Sequence, residues 1–375
     1  MTPSQVRERL RGWLEANVDG WRNVRIEPLE VTTGSGFSAQ IFFVDVEYTS
    51  PNGPQSKTLV VRRQPQDHEV VFGSSLELQG QMIAALDALG SIPVPEWIGM
   101  ELDPAVLEMP FIVMGRVDGH AATQNPNYNK AGWLCEMSPD QRAATWRNAV
   151  EAYAGMAAID WQEDGFGFMA RPDWGAPGLD QYLGYIEAWY TACRKNRDMP
   201  YVDAAIDYIR KHQPTDTPVN VLWGDSTPSN VMFAQDGRVN ALIDWELAAL
   251  GPAELDLAWW LYFDDLFSRR FGVERLEGLP TRDETVAIWE ATTGRKALHL
   301  KYYDVVVALR MALVVVGAFD RQVAMDNIPS TNKSLNANFM TLYLAERLGM
   351  DLPELGPDFY AFMSNMTPVD QKQET

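Results

Sequence analysis

The sequence predicts an α+β protein of two lobes, a small antiparallel-sheet N-lobe and a larger helical C-lobe. Three observations carry that expectation. At 375 residues the chain exceeds what one compact core usually holds. Strand-length runs punctuated by turn residues crowd the segment before residue 115. From about Ala143 helical periodicity takes over, interrupted by one compact β segment at 219–245. The N-lobe is drawn at 1–115, the C-lobe at 116–368, and a polar, flexible tail at 369–375.

The elements follow in order. Thr2-Pro3-Ser4-Gln5 reads as a capping box with Pro at the first helical position. Val6, Leu10, Leu14 and Val18 then recur at helical spacing, which makes an amphipathic surface helix and not a signal peptide. Ile41 to Tyr48 and Thr58 to Arg62 are strand-like, and the cluster Pro51-Asn52-Gly53-Pro54 between them turns a hairpin. Leu76 to Leu89 reads as a helix stopped by Gly90 and Pro93, with further strands near Trp97–Met100 and Pro110–Met114. The apolar run Tyr302 to Phe319 is long enough to raise the question of a membrane span. Asp304 and Arg310 interrupt it and no second candidate exists, so a buried helix of the large lobe is expected.

Charge and cysteine content narrow the function classes. With 51 acidic and 31 basic residues the net charge is −20, which argues against nucleic acid or anionic membrane as a partner. The two cysteines, Cys135 and Cys193, make no disulfide framework and fit a reducing, cytoplasmic setting. The four scattered histidines offer no zinc spacing. A small-molecule partner is the remaining expectation, and no oligomeric state follows from the sequence.

The densest chemistry lies in the β segment. Val219 to Leu222 runs a strand into the loop Trp223-Gly224-Asp225-Ser226-Thr227-Pro228-Ser229-Asn230. Val231-Met232-Phe233 is a short strand, Gln235-Asp236-Gly237-Arg238 a hairpin turn, and Val239 to Trp245 the return strand. Asp225, Asn230 and Asp244 would then converge at one end of a small hairpin. Phosphoryl transfer needs such a set: hard oxygen ligands for Mg²⁺, and a further carboxylate to orient the acceptor hydroxyl and take its proton. The Asp-to-Asn spacing of five also matches the catalytic loop of protein kinases. Taken blandly, Asp and Asn are common turn residues, and only the strand–loop–strand context lifts the pattern above coincidence.

On these residues the chain resembles the aminoglycoside phosphotransferase and choline kinase-like superfamily. It is most similar to the branch containing the kinase-like domains of acyl-CoA dehydrogenase family members 10 and 11. That family's loop reads His-Gly-Asp, four residues, then Asn; here it is Trp223-Gly224-Asp225 and Asn230. Its metal motif appears as Ile243-Asp244-Trp245-Glu246, and its next element as Gly251-Pro252-Ala253-Glu254-Leu255-Asp256. Tyr302-Tyr303-Asp304-Val305 and Ala308-Leu309-Arg310 also fit the branch.

The resemblance implies a bilobal, protein-kinase-like fold and an ATP- and Mg²⁺-dependent transfer to a small-molecule hydroxyl. It implies Asp225 as the catalytic carboxylate, Asn230 and Asp244 as metal ligands, and Asp256 as a structural residue capping the next helix and bracing the loop. Gly34, Ser35 and Gly36 would cover the phosphates, where glycines let backbone N–H groups approach. Strand alternation sends Arg62 and Arg63 to opposite faces, with Arg62 on the ATP side. Gln79 or Glu77 would be its partner on the following helix. Backbone groups of Gly115 and Val117 would meet adenine, and Glu246 faces either substrate or an ion pair.

Three positions depart from the family pattern: Trp223 for His, Ala39 for Asn, and Gly115 for a hinge Glu. A hydroxyacyl-CoA or another hydroxylated metabolite is the implied acceptor. An aminoglycoside-type antibiotic kinase and a nucleotide-binding pseudokinase are the alternatives. Substrate-facing loops are expected at 121–145 and 264–300.

Overall fold

The computed structural model describes residues 1–27, 40–64 and 71–366. The phosphate loop expected at Gly34, Ser35 and Gly36, and the tail at 369–375, lie outside the described residues, as does Ala39.

Helix α1 (Pro3–Asn17) opens on the expected capping box, with Thr2 and Gln5 exchanging side-chain and backbone bonds. Its buried face, Val6, Leu10, Trp13 and Leu14, lies on a five-stranded antiparallel sheet. The strands are β1 (Arg22–Ile26), β2 (Gln40–Ser50), β3 (Gly53–Arg63), β4 (Trp97–Glu101) and β5 (Phe111–Gly115), in the order β1-β2-β3-β5-β4. The hairpin β2–β3 keeps one register from Gln40↔Arg63 to Ser50↔Gly53. Alternation along β3 puts Leu59 and Val61 into the cluster under α1, together with Phe111 and Val113. The same alternation turns Arg62 to the opposite face, toward the C-lobe. Helix α2 (Leu76–Leu89) has the predicted bounds, capped by Ser75 and ended by Gly90 in the left-handed region.

The C-lobe holds α3 (Trp133–Glu136), α4 (Pro139–Ala154), α5 (Leu179–Arg194) and α6 (Pro200–Lys211). Four short strands follow: β6 (Asn220–Leu222), β7 (Val231–Phe233), β8 (Val239–Leu242) and β9 (Ala249–Gly251). Then come α7 (Glu254–Asp265), which runs on into a π-helical turn over Leu266–Arg270, and α8 (Arg282–Thr293), α9 (Leu300–Ala324), α10 (Phe339–Leu348) and α11 (Pro357–Met366). Helix α9 is long and apolar enough to cross a membrane, but most of it is buried, packed by α5, α6, α7 and α10. It is the central helix of the lobe. Asp304 is held by Arg282, and Arg310 is buried among aromatic residues.

Three elements differ from the sequence reading. The return strand of the hairpin ends at Leu242 and does not reach Trp245, because Asp244 adopts a left-handed backbone with φ of 62°. Strand β9 was not anticipated. It pairs with β6 over three residues, Asn220↔Gly251 to Leu222↔Ala249, too few for a periodic signal. Helix α4 also begins at Pro139, ahead of the Ala143 onset, because Ser138 and Gln141 form a second capping box.

Candidate active site

The loop between β6 and β7 is fixed from below by Asp256. The carboxylate of this buried residue accepts from the backbone N–H of Trp223 at 2.8 Å and of Gly224 at 2.9 Å. The Ser226 hydroxyl donates to the Asp256 carbonyl at 2.7 Å. Asp256 therefore braces the loop as the resemblance implied, but it does not cap the helix. Helix α7 starts two residues earlier, with Ala253 in the capping position, and Asp256 sits in its first turn. Burial, only partly offset by these N–H donors, pushes its carboxyl up to about 6.

Gly224 makes the turn that presents Asp225. Its φ is 85°, and a Cβ there would lie 1.9 Å from the Leu247 carbonyl oxygen, so no larger residue fits. The loop has a second brace in Trp223. Its indole is fully buried and its Nε1–H donates to the carbonyl of Ile243 at 2.9 Å. The residue that departs from the family pattern thus ties the Asp225 loop to the residue before Asp244.

Asp225 keeps partial exposure but lies deep in the fold, and both its oxygens are engaged. Oδ2 accepts from Asn230 Nδ2 at 2.7 Å, and Oδ1 accepts from Trp259 Nε1 at 2.7 Å. Burial first, and the negative charge of Asp244 second, push the carboxyl up to about 6, while Arg310 and the two donors pull the other way. The amide nitrogen of Asn230 is directed at two acceptors, the Asp225 carboxylate and the Asp225 carbonyl. Its amide oxygen is thereby turned elsewhere. The Ile243 N–H donates to the Asn230 carbonyl at 2.9 Å, which draws the approach to Asp244 alongside the loop.

From the N-lobe, Arg62 reaches across to this end of the hairpin. Nη1 lies 2.9 Å from Asp244 Oδ1, and Nη2 lies 3.2 Å from Glu246 Oε2. Burial alone would lower the guanidinium, but the two carboxylates hold it above its ordinary value. Its Nε is buried with no hydrogen-bond partner among the described residues. Arg63 points the other way, to the Leu107 carbonyl. Glu246 was expected to face substrate or to join a surface ion pair; it is ion-paired here, but the pair is largely buried and not at the surface.

The α2 partner expected for Arg62 is placed otherwise. Glu77 is exposed and accepts from Gln81, and Gln79 is buried in α2, whereas the carboxylates on Arg62 come from the C-lobe. Gly115 closes β5, paired with Leu59, and gives its N–H to the Glu96 carbonyl at 2.8 Å. Val117 follows in the connection between the lobes. Around this connection Lys57, Thr58, Glu96, Gly115, Arg116 and Asp118 line an open, polar cavity of about 330 Å³. Of the segments expected to face substrate, 121–145 and 264–300, the first touches the Asp225 loop, where Gln124 donates to Ser229 at 2.8 Å.

Sequence reasoning missed Trp259. It lies three residues after Asp256 on α7, so both side chains share the helix face turned to the loop. That spacing was the available signal. The donor set is hard oxygen: the Asn230 amide oxygen and the Asp244 carboxylate. Among the described residues there is no group of three or more His, Cys, Asp or Glu poised around one point. A Mg²⁺ completed by phosphate oxygens and water needs only one or two protein ligands.

A five-stranded N-lobe joined by a single connection to a helical lobe that carries a strand–loop–hairpin is the architecture of the kinase-like phosphotransferases. The chain belongs to the phosphotransferase enzyme family, whose family profile matches residues 32–291. Among solved structures it is similar to a putative aminoglycoside phosphotransferase from Ralstonia eutropha, with a TM-score of 0.67, 21% identity, and 95% and 98% of the two chains covered. It is also similar to a thermostable mutant of an aminoglycoside phosphotransferase in ternary complex with AMP-PNP and hygromycin B, at a TM-score of 0.51, 14% identity and coverages of 95% and 98%.

Among curated proteins it is 23% identical to a probable acyl-CoA dehydrogenase of Arabidopsis thaliana, over 84% of this chain and 38% of that protein. It is 24% identical to the human acyl-CoA dehydrogenase family member 11, over 76% of this chain and 36% of that protein. The chain thus spans less than half the length of these relatives.

Proposed function

We propose that this protein transfers the γ-phosphoryl group of ATP to a hydroxyl of a small metabolite, with a hydroxyacyl-CoA as the preferred acceptor class. The observation that carries the reading is the meeting of Asp225, Asn230 and Asp244 at one end of the hairpin, with Arg62 reaching them from the opposite lobe. In this reading Arg62 binds the nucleotide phosphates, and its unpartnered Nε is a donor suited to an anionic oxygen. Glu246 orients that guanidinium. The Gly115 carbonyl and the Val117 backbone face adenine.

Asn230 and Asp244 hold Mg²⁺, which when bound offsets phosphate charge and the crowding of Asp244 against Asp225. Asp225 accepts a hydrogen bond from the acceptor hydroxyl, aims its oxygen, and takes its proton as the bond to the γ-phosphorus forms and the bond from that phosphorus to the β,γ-bridging oxygen breaks, releasing ADP. Asn230 and Trp259 hold the carboxylate in one orientation for that task. The acceptor class is supported by relatives that are acyl-CoA dehydrogenases, whose chains contain a segment like this one beside other sequence.

The test is a panel assay of ADP release from Mg·ATP with hydroxyacyl-CoA thioesters, free hydroxy acids, choline and aminoglycosides. Acceptor-dependent turnover confined to the thioesters supports the proposal. Turnover with aminoglycosides alone replaces the acceptor class, a result to which the net charge of −20 would lend itself. ATP binding with no transfer to any hydroxyl would mark a pseudokinase.

A further inference from the structure

Behind the catalytic loop lies a cation that the mechanism above does not use. Arg310, on the central helix α9, is 2% exposed. Its guanidinium carbon stands 3.4 Å from the ring centroid of Trp259, and Nη1 donates to the hydroxyl of the buried Tyr182 at 2.9 Å. Nε and Nη2 are buried with no hydrogen-bond partner. Among the described residues no carboxylate lies within ion-pair distance of it. A guanidinium taken out of water without a contacting carboxylate costs several kcal/mol, so its retention in the core calls for a compensating use of its charge.

The geometry points to one. The ring beneath Arg310 is the ring whose Nε1–H holds Asp225 Oδ1. A cation stacked on an indole face withdraws electron density from the ring and makes its N–H a stronger donor. It also fixes the ring's rotation, since turning Trp259 would forfeit the stack and the Asp225 bond together. Tyr182 fixes the guanidinium from the other side.

We propose that Arg310 is a positioning residue for phosphoryl transfer, acting through the Trp259 indole to orient the Asp225 carboxylate. The inference rests on the reading of Asp225 given above. Arg310 and Trp259 form one relay, each only 2% exposed and so shielded from a ligand in the cleft. Their loss should therefore lower kcat and leave the KM for ATP alone.

The full chain is assayed for ADP release from Mg·ATP, with water or a hydroxyacyl-CoA as acceptor, for Trp259→Phe, Arg310→Met, Arg310→Lys, the Trp259→Phe/Arg310→Met pair, and Asp225→Asn. Trp259→Phe keeps a ring under Arg310 and deletes only the N–H. Each of Trp259→Phe and Arg310→Met should lower kcat about 10- to 100-fold, the scale set by misplacing a reacting group, with the KM for ATP within about twofold. Because both act along one path, the double variant should fall no further than the worse single. Arg310→Lys, which keeps the charge without the planar stack, should lie between Arg310→Met and wild type.

The inference is overturned if Trp259→Phe keeps wild-type kcat, if the two losses multiply, or if either variant acts through the KM for ATP. Where Arg310→Met does not fold, Trp259→Phe and Arg310→Lys decide alone. Asp225→Asn separates the two readings. If it retains wild-type turnover, the assignment of Asp225 falls. If it is inactive while Trp259→Phe and Arg310→Met are not, only the relay falls.

Discussion

Replacing Asp225 with asparagine should destroy turnover and, at alkaline pH, make the protein more stable. The magnitude follows from the site. Burial and the nearby Asp244 raise the carboxyl from 3.8 to about 6. Two pKa units at 1.36 kcal/mol each amount to about 3 kcal/mol against the folded state once the group is ionised, somewhat less for the exposure Asp225 retains. Asparagine carries no such penalty, but its side chain cannot accept from both Asn230 and Trp259. One bond is lost and an amide faces a donor, at about 1–2 kcal/mol. The net gain near pH 8 is about 1–2 kcal/mol.

The pH dependence carries the sign. Between about pH 4 and 6 the folded wild type holds a proton that the unfolded chain has released, so its stability declines as pH rises through that window and is flat above it. The variant lacks this decline. It should be the less stable protein near pH 4 and the more stable one near pH 8. Urea unfolding in chelator, followed by tryptophan fluorescence at a series of pH values, reads the difference directly. Turnover of Mg·ATP should fall about 10²- to 10⁴-fold. A variant destabilised equally at both ends of the range would refute the reasoning, because it would mean that Asp225 pays no cost for its buried charge.

Four further outcomes are expected. The kcat/KM of the wild type should climb with pH up to about 6, as Asp225 ionises in the free enzyme, and level off above; a profile flat down to pH 4.5 contradicts this. Trp223→Phe removes the donor to the Ile243 carbonyl and should cost about 1–3 kcal/mol in urea unfolding, with some loss of kcat as the loop loosens. Gly224→Ala should yield inactive or unfolded protein, since its Cβ has no space beside Leu247; soluble protein with wild-type turnover would show that the turn is wrongly placed. Glu246→Gln should raise the KM for ATP about fivefold, for about 1 kcal/mol of lost orientation at Arg62, with kcat little changed in steady-state assays.

Much of this arrangement was legible in the chain, and what was not has physical causes. The lobed α+β plan, the β2–β3 hairpin and the bounds of α2 followed from alternation, turn residues and caps, all local signals. Strand period put Arg62 and Arg63 on opposite faces, the family resemblance supplied the role, and the structure turns Arg62 toward Asp244. Asp256 was foreseen as a brace, but its capping role was not found, because a helix start two residues earlier is set by Pro252 and Ala253 and not by Asp256.

The carboxylates that meet Arg62 are 182 and 184 residues away in sequence, and no periodicity reports a partner at that distance. Arg310 stood in the sequence as an interruption of an apolar run and as part of Ala308-Leu309-Arg310, with no role attached. Its stack on Trp259 depends on two helices that pack only in the folded lobe. Strand β9 is so short that its partner β6 defines it.

The left-handed backbone at Asp244 restricts which amino acids evolution can place there. Few residues accept a φ of 62° without strain: glycine freely, asparagine and aspartate at small cost. Glycine offers no oxygen to a cation, and asparagine offers one without charge. A glutamate would supply the charge at a greater backbone cost, one that this chain accepts at Glu108, where φ is 64°. On the function proposed above, aspartate then answers the chain's path and the chemistry together, at the least cost to either.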